Sequence, residues 1–95
     1  MELPTKYSNL DWRKGEKAFV RNLYIEKQKG LCYYCNQPLE KDPPTEITSK
    51  EINWKLFPSN FLNHPIHLQH NHITDMTEGA VHAYCNAVMW QYEGR

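Results

Sequence analysis

Two short pairs of metal-binding side chains stand far apart in this chain. Cys32 and Cys35 are three positions apart, and so are His82 and Cys85. Two ligands at this spacing can present their donor atoms to one ion from a tight turn or a helix start, and two such pairs complete the tetrahedral shell that Zn²⁺ prefers. The pattern therefore predicts one structural zinc ion that joins the early part of the chain to the late part.

The length of the chain makes such a link useful. At 95 residues the protein is expected to form a single domain, near the size at which a hydrophobic core alone leaves little stability in reserve. The longest apolar run, residues 87–90, is too short to cross a membrane. The first residues lack the basic and apolar segments of a secretory signal, so we expect a reducing, cytoplasmic location in which three cysteines serve a metal rather than disulfides.

Basic residues are concentrated near the N-terminus, although the formal net charge is zero. Residues 1–30 contain seven basic and four acidic side chains, whereas residues 31–95 contain four basic and seven acidic ones. Arg13, Lys17 and Arg21 follow one side of a predicted helix and are candidate contacts for the phosphate backbone of DNA. The alternative is a solvated helix face that has no partner.

Apolar spacing predicts a helix in the first third of the chain. It covers residues 12–29, with Asp11 as a plausible N-cap and Gly30 after the last turn. A metal-binding knuckle follows over residues 31–38, where an Asn-Gln-Pro segment turns the chain. The N-terminal segment up to residue 30 and the knuckle are therefore expected to be consecutive parts of one domain.

A proline-rich insertion is predicted over residues 39–65. Within it, residues 45–57 suit either a strand or a short helix, and the sequence does not decide between them. Its aromatic side chains, among them Trp54, Phe57 and Phe61, are expected to cover the core rather than to bind a ligand.

The last third, residues 66–95, has the pattern of a hairpin followed by a helix. A strand is predicted to begin at residues 66–68, a loop to cover residues 74–79, and a return strand to cover residues 80–82. The composition of residues 83–92 favours a helix. The expected order is strand, loop, strand and helix.

Taken together, a CxxC pair, the segment HLQHNH at residues 67–72 and a glycine followed by HxxCN resemble the zinc-containing HNH, or ββα-metal, nucleases. The likeness is greatest to the phage recombination endonuclease VII group and covers about two thirds of the chain, from Gly30 onward. It implies a small α+β fold, namely a zinc-stapled ββα-metal domain with an N-terminal helix. The resemblance also implies that four residues of this chain match the zinc ligands of the group, and that His82 stands where the group has a cysteine. The four are Cys32, Cys35, His82 and Cys85.

The resemblance also implies a catalytic site. His70 falls at the position of the general base, whose second ring nitrogen is expected to be held by a backbone carbonyl. Asn86 falls at the position of the asparagine that binds catalytic Mg²⁺ or Mn²⁺. Gln69 replaces an aspartate that binds the same ion, and either Gln69 or His72, expected on the same strand face as His70, would then complete the ligands. Asp75 is a further candidate from the loop.

The function implied is a divalent-metal-dependent DNA endonuclease of bacteriophage or mobile-element origin, which leaves a nick with a 5′ phosphate. One alternative is a catalytically weakened DNA-binding module, and another is a zinc-knuckle adaptor for phage packaging or replication proteins. Paired nicks on two strands would need a homodimer, which the sequence itself does not establish. His64 is expected in a turn, and His67 in strand packing or surface solvation rather than in catalysis.

Overall fold

The computed structural model describes residues 2–94. Three α-helices and two strands carry the architecture: α1 (Glu16–Lys27), α2 (Thr45–Thr48), β1 (Ile66–His70), β2 (Thr77–His82) and α3 (Ala83–Glu93). Short 3₁₀ turns lie at Tyr7–Asn9, Trp12–Lys14 and Trp54–Leu56. The chain therefore has a small α+β fold with a two-stranded antiparallel sheet. None of the helices in residues 2–94 has the length and apolar character to span a membrane.

The N-terminal helix is shorter than predicted. Asp11 accepts a hydrogen bond from the backbone N–H of Arg13, as an N-cap does, but it caps only the 3₁₀ turn Trp12–Lys14. Gly15 then adopts a left-handed conformation with φ of 72°, which ends that turn before α1 begins. α1 buries Val20 and Tyr24 against the rest of the domain.

The insertion is helical where the sequence left strand or helix open. Pro44 precedes α2, a position where its missing N–H costs nothing, and Trp54–Leu56 forms a second helical turn. Gln91 of α3 holds the segment between them, because its side chain accepts from the N–H of Asn53 at 2.9 Å and donates to the carbonyl of Glu51 at 3.1 Å. The insertion is thus fastened to the last helix.

The hairpin has a shorter loop than predicted, because residues 77–79 belong to β2. The N-terminal segment explains the difference: Thr5 exchanges two hydrogen bonds with Thr77, and the hydroxyl of Tyr24 lies 2.8 Å from Thr77 Oγ1. Ile66 pairs with His82 at the open end of the hairpin. β1 ends at His70, so His72 lies in the following turn and not on the strand, contrary to the prediction.

The core lies between α1, β2, the knuckle and the start of α3. Val20, Val81, Cys32 and Cys85 are the largest side chains that are fully buried there. Gln28 fastens α1 to β2, since its amide nitrogen donates to the carbonyl of Ala80 and its amide oxygen accepts from the N–H of Ala80, both at 2.9 Å. The two cysteine positions therefore lie in the core itself.

Candidate metal centre and adjoining cavity

The four predicted zinc ligands converge. Cys32 and Cys35 come from the knuckle, His82 from the end of β2 and Cys85 from the first turn of α3, and their ligand atoms lie within 4.8 Å of one another. A tetrahedral zinc with Zn–S bonds of about 2.3 Å requires neighbouring ligand atoms to be roughly 4 Å apart. The group can therefore hold a structural metal ion such as zinc.

Hydrogen bonds orient the ligands of this group, which we call the Cys₃His cluster. His82 Nε2 donates to the carbonyls of Pro38 and Lys41 at 2.9 and 2.8 Å. Its Nδ1 faces the sulfurs of Cys35 and Cys85 at 3.4 and 3.6 Å. A donating Nε2 leaves Nδ1 with the lone pair that a metal needs. The tautomer suited to metal binding is therefore the one the fold selects.

The surroundings of the Cys32 sulfur favour its thiolate form. It accepts hydrogen bonds from the backbone N–H groups of Tyr34 and His82, both at 3.4 Å. A hydrogen bond from Cys85 lowers the pKa of Cys32 to about 4, against the opposing effect of burial. The same contact and burial raise the pKa of Cys85. Because a divalent cation compensates the charge of several thiolates at once, the chemistry of this donor set fits zinc.

A cavity of about 550 Å³ lies where α1, β1, α3 and the insertion meet. Both candidate catalytic residues, His70 and Asn86, line it. Three further groups of residues contribute: polar side chains of the hairpin, two basic side chains of α1, and an apolar wall. The polar side chains include Gln69, His67 and His72. The basic side chains are Lys17 and Arg21, and the apolar wall is formed by Leu56, Phe57, Phe61 and Trp90.

The ring of His70 is oriented by an aromatic stack. It lies parallel to the ring of Tyr7, with 3.9 Å between centroids and 7° between planes, and the ring of His72 is 4.6 Å away. Lys17 Nζ lies 4.2 Å from the Tyr7 centroid. Among the described residues no backbone carbonyl is hydrogen-bonded to the His70 ring, so the stack provides the orientation that a carbonyl was expected to give. Burial, then the nearby His72, lowers the pKa of His70, which keeps the ring neutral at pH 7.

His67 is the residue whose position the sequence argument missed. Its Nδ1 accepts a hydrogen bond from Asn86 Nδ2 at 3.0 Å, and its Nε2 donates to the carbonyl of Phe61 at 2.8 Å. Burial lowers the pKa of His67, so the ring is neutral and able to accept from Asn86. Strand alternation is the signal that could have found it, because His67 and Gln69 lie two positions apart on one face of β1.

The remaining candidates for cation ligands differ in their positions. Gln69 is only 3% exposed, and its amide nitrogen donates to the carbonyl of His70 at 2.8 Å. His72, although beyond the strand, still lines the cavity. Asp75 is not among the residues that line the cavity, and its carboxylate accepts hydrogen bonds from the backbone and the hydroxyl of Ser8. Its charge still raises the pKa of His70, against the larger effect of burial. No aspartate or glutamate is among the described residues that line the cavity.

The three basic candidates separate into two groups. Lys17 and Arg21 line the cavity from α1. Arg13 lies on the exposed 3₁₀ turn, with its guanidinium 5.7 Å from the ring of Trp12, and it is not among the cavity residues. The interruption at Gly15 accounts for the difference, because it removes Arg13 from the helical face that carries the other two.

Comparison of the chain with protein-family models, with curated proteins and with solved structures finds no match. The likeness to HNH nucleases therefore rests on the motif residues and on their spacing.

Proposed function

We propose that the protein is a divalent-cation-dependent DNA endonuclease of the HNH type, with the Cys₃His cluster as its structural zinc site. The observation that carries the proposal is that His70 and Asn86, sixteen residues apart in sequence, line one cavity together with Lys17 and Arg21. An imidazole, an amide and two cations around one cavity are the groups that phosphodiester hydrolysis needs. The cluster supports this assignment because it joins the hairpin to α3, the two elements that carry His70 and Asn86.

His70 acts as the general base. Its lowered pKa leaves it neutral near pH 7, so that it accepts a proton from the water that attacks phosphorus. The bond from phosphorus to the 3′ oxygen then breaks, and the 3′ oxygen takes a proton from solvent water as it leaves. Lys17 and Arg21 hold the phosphates of the strand in the cavity.

Asn86 is the residue best placed to bind the catalytic cation. Its amide nitrogen donates to His67, which leaves the amide oxygen as the atom that would bind a cation such as Mg²⁺ or Mn²⁺. Gln69 or His72 would add a second protein ligand, and the substrate phosphate would supply negative charge. The bound ion would stabilise the charge that develops on the leaving oxygen.

A second candidate function has a specific observation in its favour. The described residues that line the cavity include no carboxylate, and Gln69 stands where the resemblance places an aspartate. Fewer charged ligands weaken the binding of a hard cation. On this hypothesis the protein is a DNA-binding module that keeps the phosphate contacts of Lys17 and Arg21 but does not cleave.

Nicking of supercoiled plasmid with Mg²⁺ or Mn²⁺ distinguishes the two functions. We expect the wild-type protein to convert the plasmid to its open-circular form, and His70→Ala to lower the rate by about 10²- to 10⁴-fold, the usual contribution of a general base. His64→Ala is the control: His64 lines the same cavity, but its ring accepts a hydrogen bond from the N–H of Ile66 and has no proposed role in the reaction. Retardation of an intact plasmid by the wild-type protein, at all concentrations of both cations, would establish the non-catalytic function instead.

A further inference from the structure

The apolar wall of the cavity is not explained by hydrolysis of a phosphodiester. Leu56, Phe57, Phe61 and Trp90 form it, in a cavity that Lys17 and Arg21 also line. None of these four is in the buried core, and Trp90 and Leu56 are 41% and 50% exposed. We infer that this wall, together with the two basic residues, binds one unstacked base of a DNA strand. The inference rests on the proposed nucleic-acid substrate and names the form of DNA that the site takes.

The wall is a preformed aromatic surface. Phe57 contacts Trp90 edge to face with 5.5 Å between ring centroids, and it contacts Phe61 at 4.7 Å. Phe61 in turn contacts the ring of His67 at 4.6 Å, and its carbonyl accepts from the same ring. A surface held in this way loses little conformational freedom when a ligand binds. The aromatic rings are thus ready to stack on a flat ligand.

Charge and position identify that ligand as a nucleotide. Lys17 and Arg21 suit a phosphate, while the aromatic rings of the apolar wall suit the π-face of a base. Asn86 and Trp90 are four positions apart on α3 and so lie on the same side of the helix, about 5–6 Å apart at Cβ. A base stacked on Trp90 therefore places its own phosphate near Asn86, where the reaction is proposed to occur.

The base must be unpaired. In a duplex each base face is covered by its neighbours, and the outer surface offers phosphates and sugars, which do not match an apolar wall. A cavity of about 550 Å³ is of the size that takes one small ligand, not the width of a double helix. A strand with a flexible, unstacked nucleotide can place its base on the apolar wall and its phosphate near the two basic side chains.

Two oligonucleotides test the inference on the zinc-loaded, full-length protein without Mg²⁺ or Mn²⁺. One is a fluorescein-labelled oligothymidylate, and the other is a strand of equal length in which every nucleotide is an abasic analogue. Fluorescence anisotropy at low salt gives the dissociation constants. We expect the base-bearing strand to bind about 5- to 150-fold more tightly, the range found for stacking of one base on an aromatic side chain, and more tightly than a duplex of the same length.

Trp90→Leu keeps apolar bulk against Phe57 but removes the stacking surface, so we expect it to bring the ratio of the two dissociation constants close to one. Trp12→Leu is the matched control, because Trp12 is 69% exposed and lies outside the cavity; its ratio should stay at the wild-type value. Equal binding of both strands by the wild-type protein, or tighter binding of the duplex, overturns the inference even if Trp90→Leu does not fold. If the protein prefers the base-bearing strand but never nicks DNA, the base-binding site is supported and the proposed catalysis is refuted. If it nicks DNA without that preference, the catalysis is supported and the base-binding site is refuted.

Discussion

Removal of the metal should unfold most of the domain. Of the four largest fully buried side chains, two are valines and two are the ligands Cys32 and Cys85, so the Cys₃His cluster supplies half of this set. Structural zinc contributes about 10–16 kcal/mol in zinc-finger peptides, whereas a whole domain is stable by about 5–15 kcal/mol. The free energy lost with the ion is therefore comparable to the total stability of the folded protein.

Circular dichroism during heating measures the effect. A loss of only 3 kcal/mol corresponds to a fall in Tm of roughly 12–24 °C in a domain of this size. We expect chelator-treated protein to show at least this shift, or no cooperative transition, and added Zn²⁺ to restore the original curve. Metal analysis of the untreated protein should find one zinc ion per chain.

Substitution of one ligand separates the metal from other effects of the chelator. Cys85→Ser preserves the size of the side chain but removes a thiolate, and it should lower Tm as much as chelation does. Ala87→Ser is the control, because it adds a hydroxyl at a buried position of the same helix that is not one of the four ligands. If chelated protein and Cys85→Ser both melt within 2 °C, about half a kcal/mol, of the untreated wild type, the cluster does not hold a structural ion and the reasoning is refuted.

Three further predictions concern packing and the cavity. Gly79→Ala should lower the stability by about 1–3 kcal/mol in thermal unfolding, because its Cβ would lie 2.7 Å from Gln28 Oε1 and 2.8 Å from Tyr33 Cγ; an unchanged Tm would contradict this packing. The nicking rate should rise with pH as His70 loses its proton, with a midpoint below about 6.5. Lys17→Met should move that midpoint upward, because the charge of Lys17 lowers the pKa of His70. A downward movement of the midpoint would exclude this electrostatic effect. Gln69→Asp should lower the Mn²⁺ concentration for half-maximal nicking by roughly tenfold, and an unchanged requirement would show that Gln69 does not face the ion.

The Cys₃His cluster could be predicted because its signal is local. Each pair of ligands has the spacing of a turn or helix start, and few uses other than a metal bring an imidazole and three cysteines together in that pattern. Zinc geometry then requires the two pairs to meet, whatever the chain between them does. The structure places them within 4.8 Å of one another.

The insertion and the hairpin loop could not be predicted to the same degree, since long-range contacts decide them. Residues 77–79 carry turn signals, yet Thr77 pairs with Thr5, more than seventy residues earlier, and the strand is extended. Residues 45–57 contain both β-branched and helix-forming side chains, and the contact of Asn53 with Gln91 fixes their course. Weak local preferences give way to tertiary contacts in both places.

The face on which His70 lies depends on a detail of register that periodicity does not reveal. In a regular strand His70 points to the side opposite His67 and Gln69. Here the register shifts between Gln69 and His70, because β2 has one extra residue, Glu78, between the partners of these two positions. Bulges of this kind turn side chains and are frequent beside functional sites. His67, Leu68, Gln69 and His70 all line one cavity, so side chains from both faces of the strand reach it, and the stack on Tyr7 holds His70 there. The proposed function requires His70 of β1 and Asn86 of α3 to reach one phosphate, and the stack on Tyr7 together with the hydrogen bond from Asn86 to His67 fixes these two side chains at the cavity.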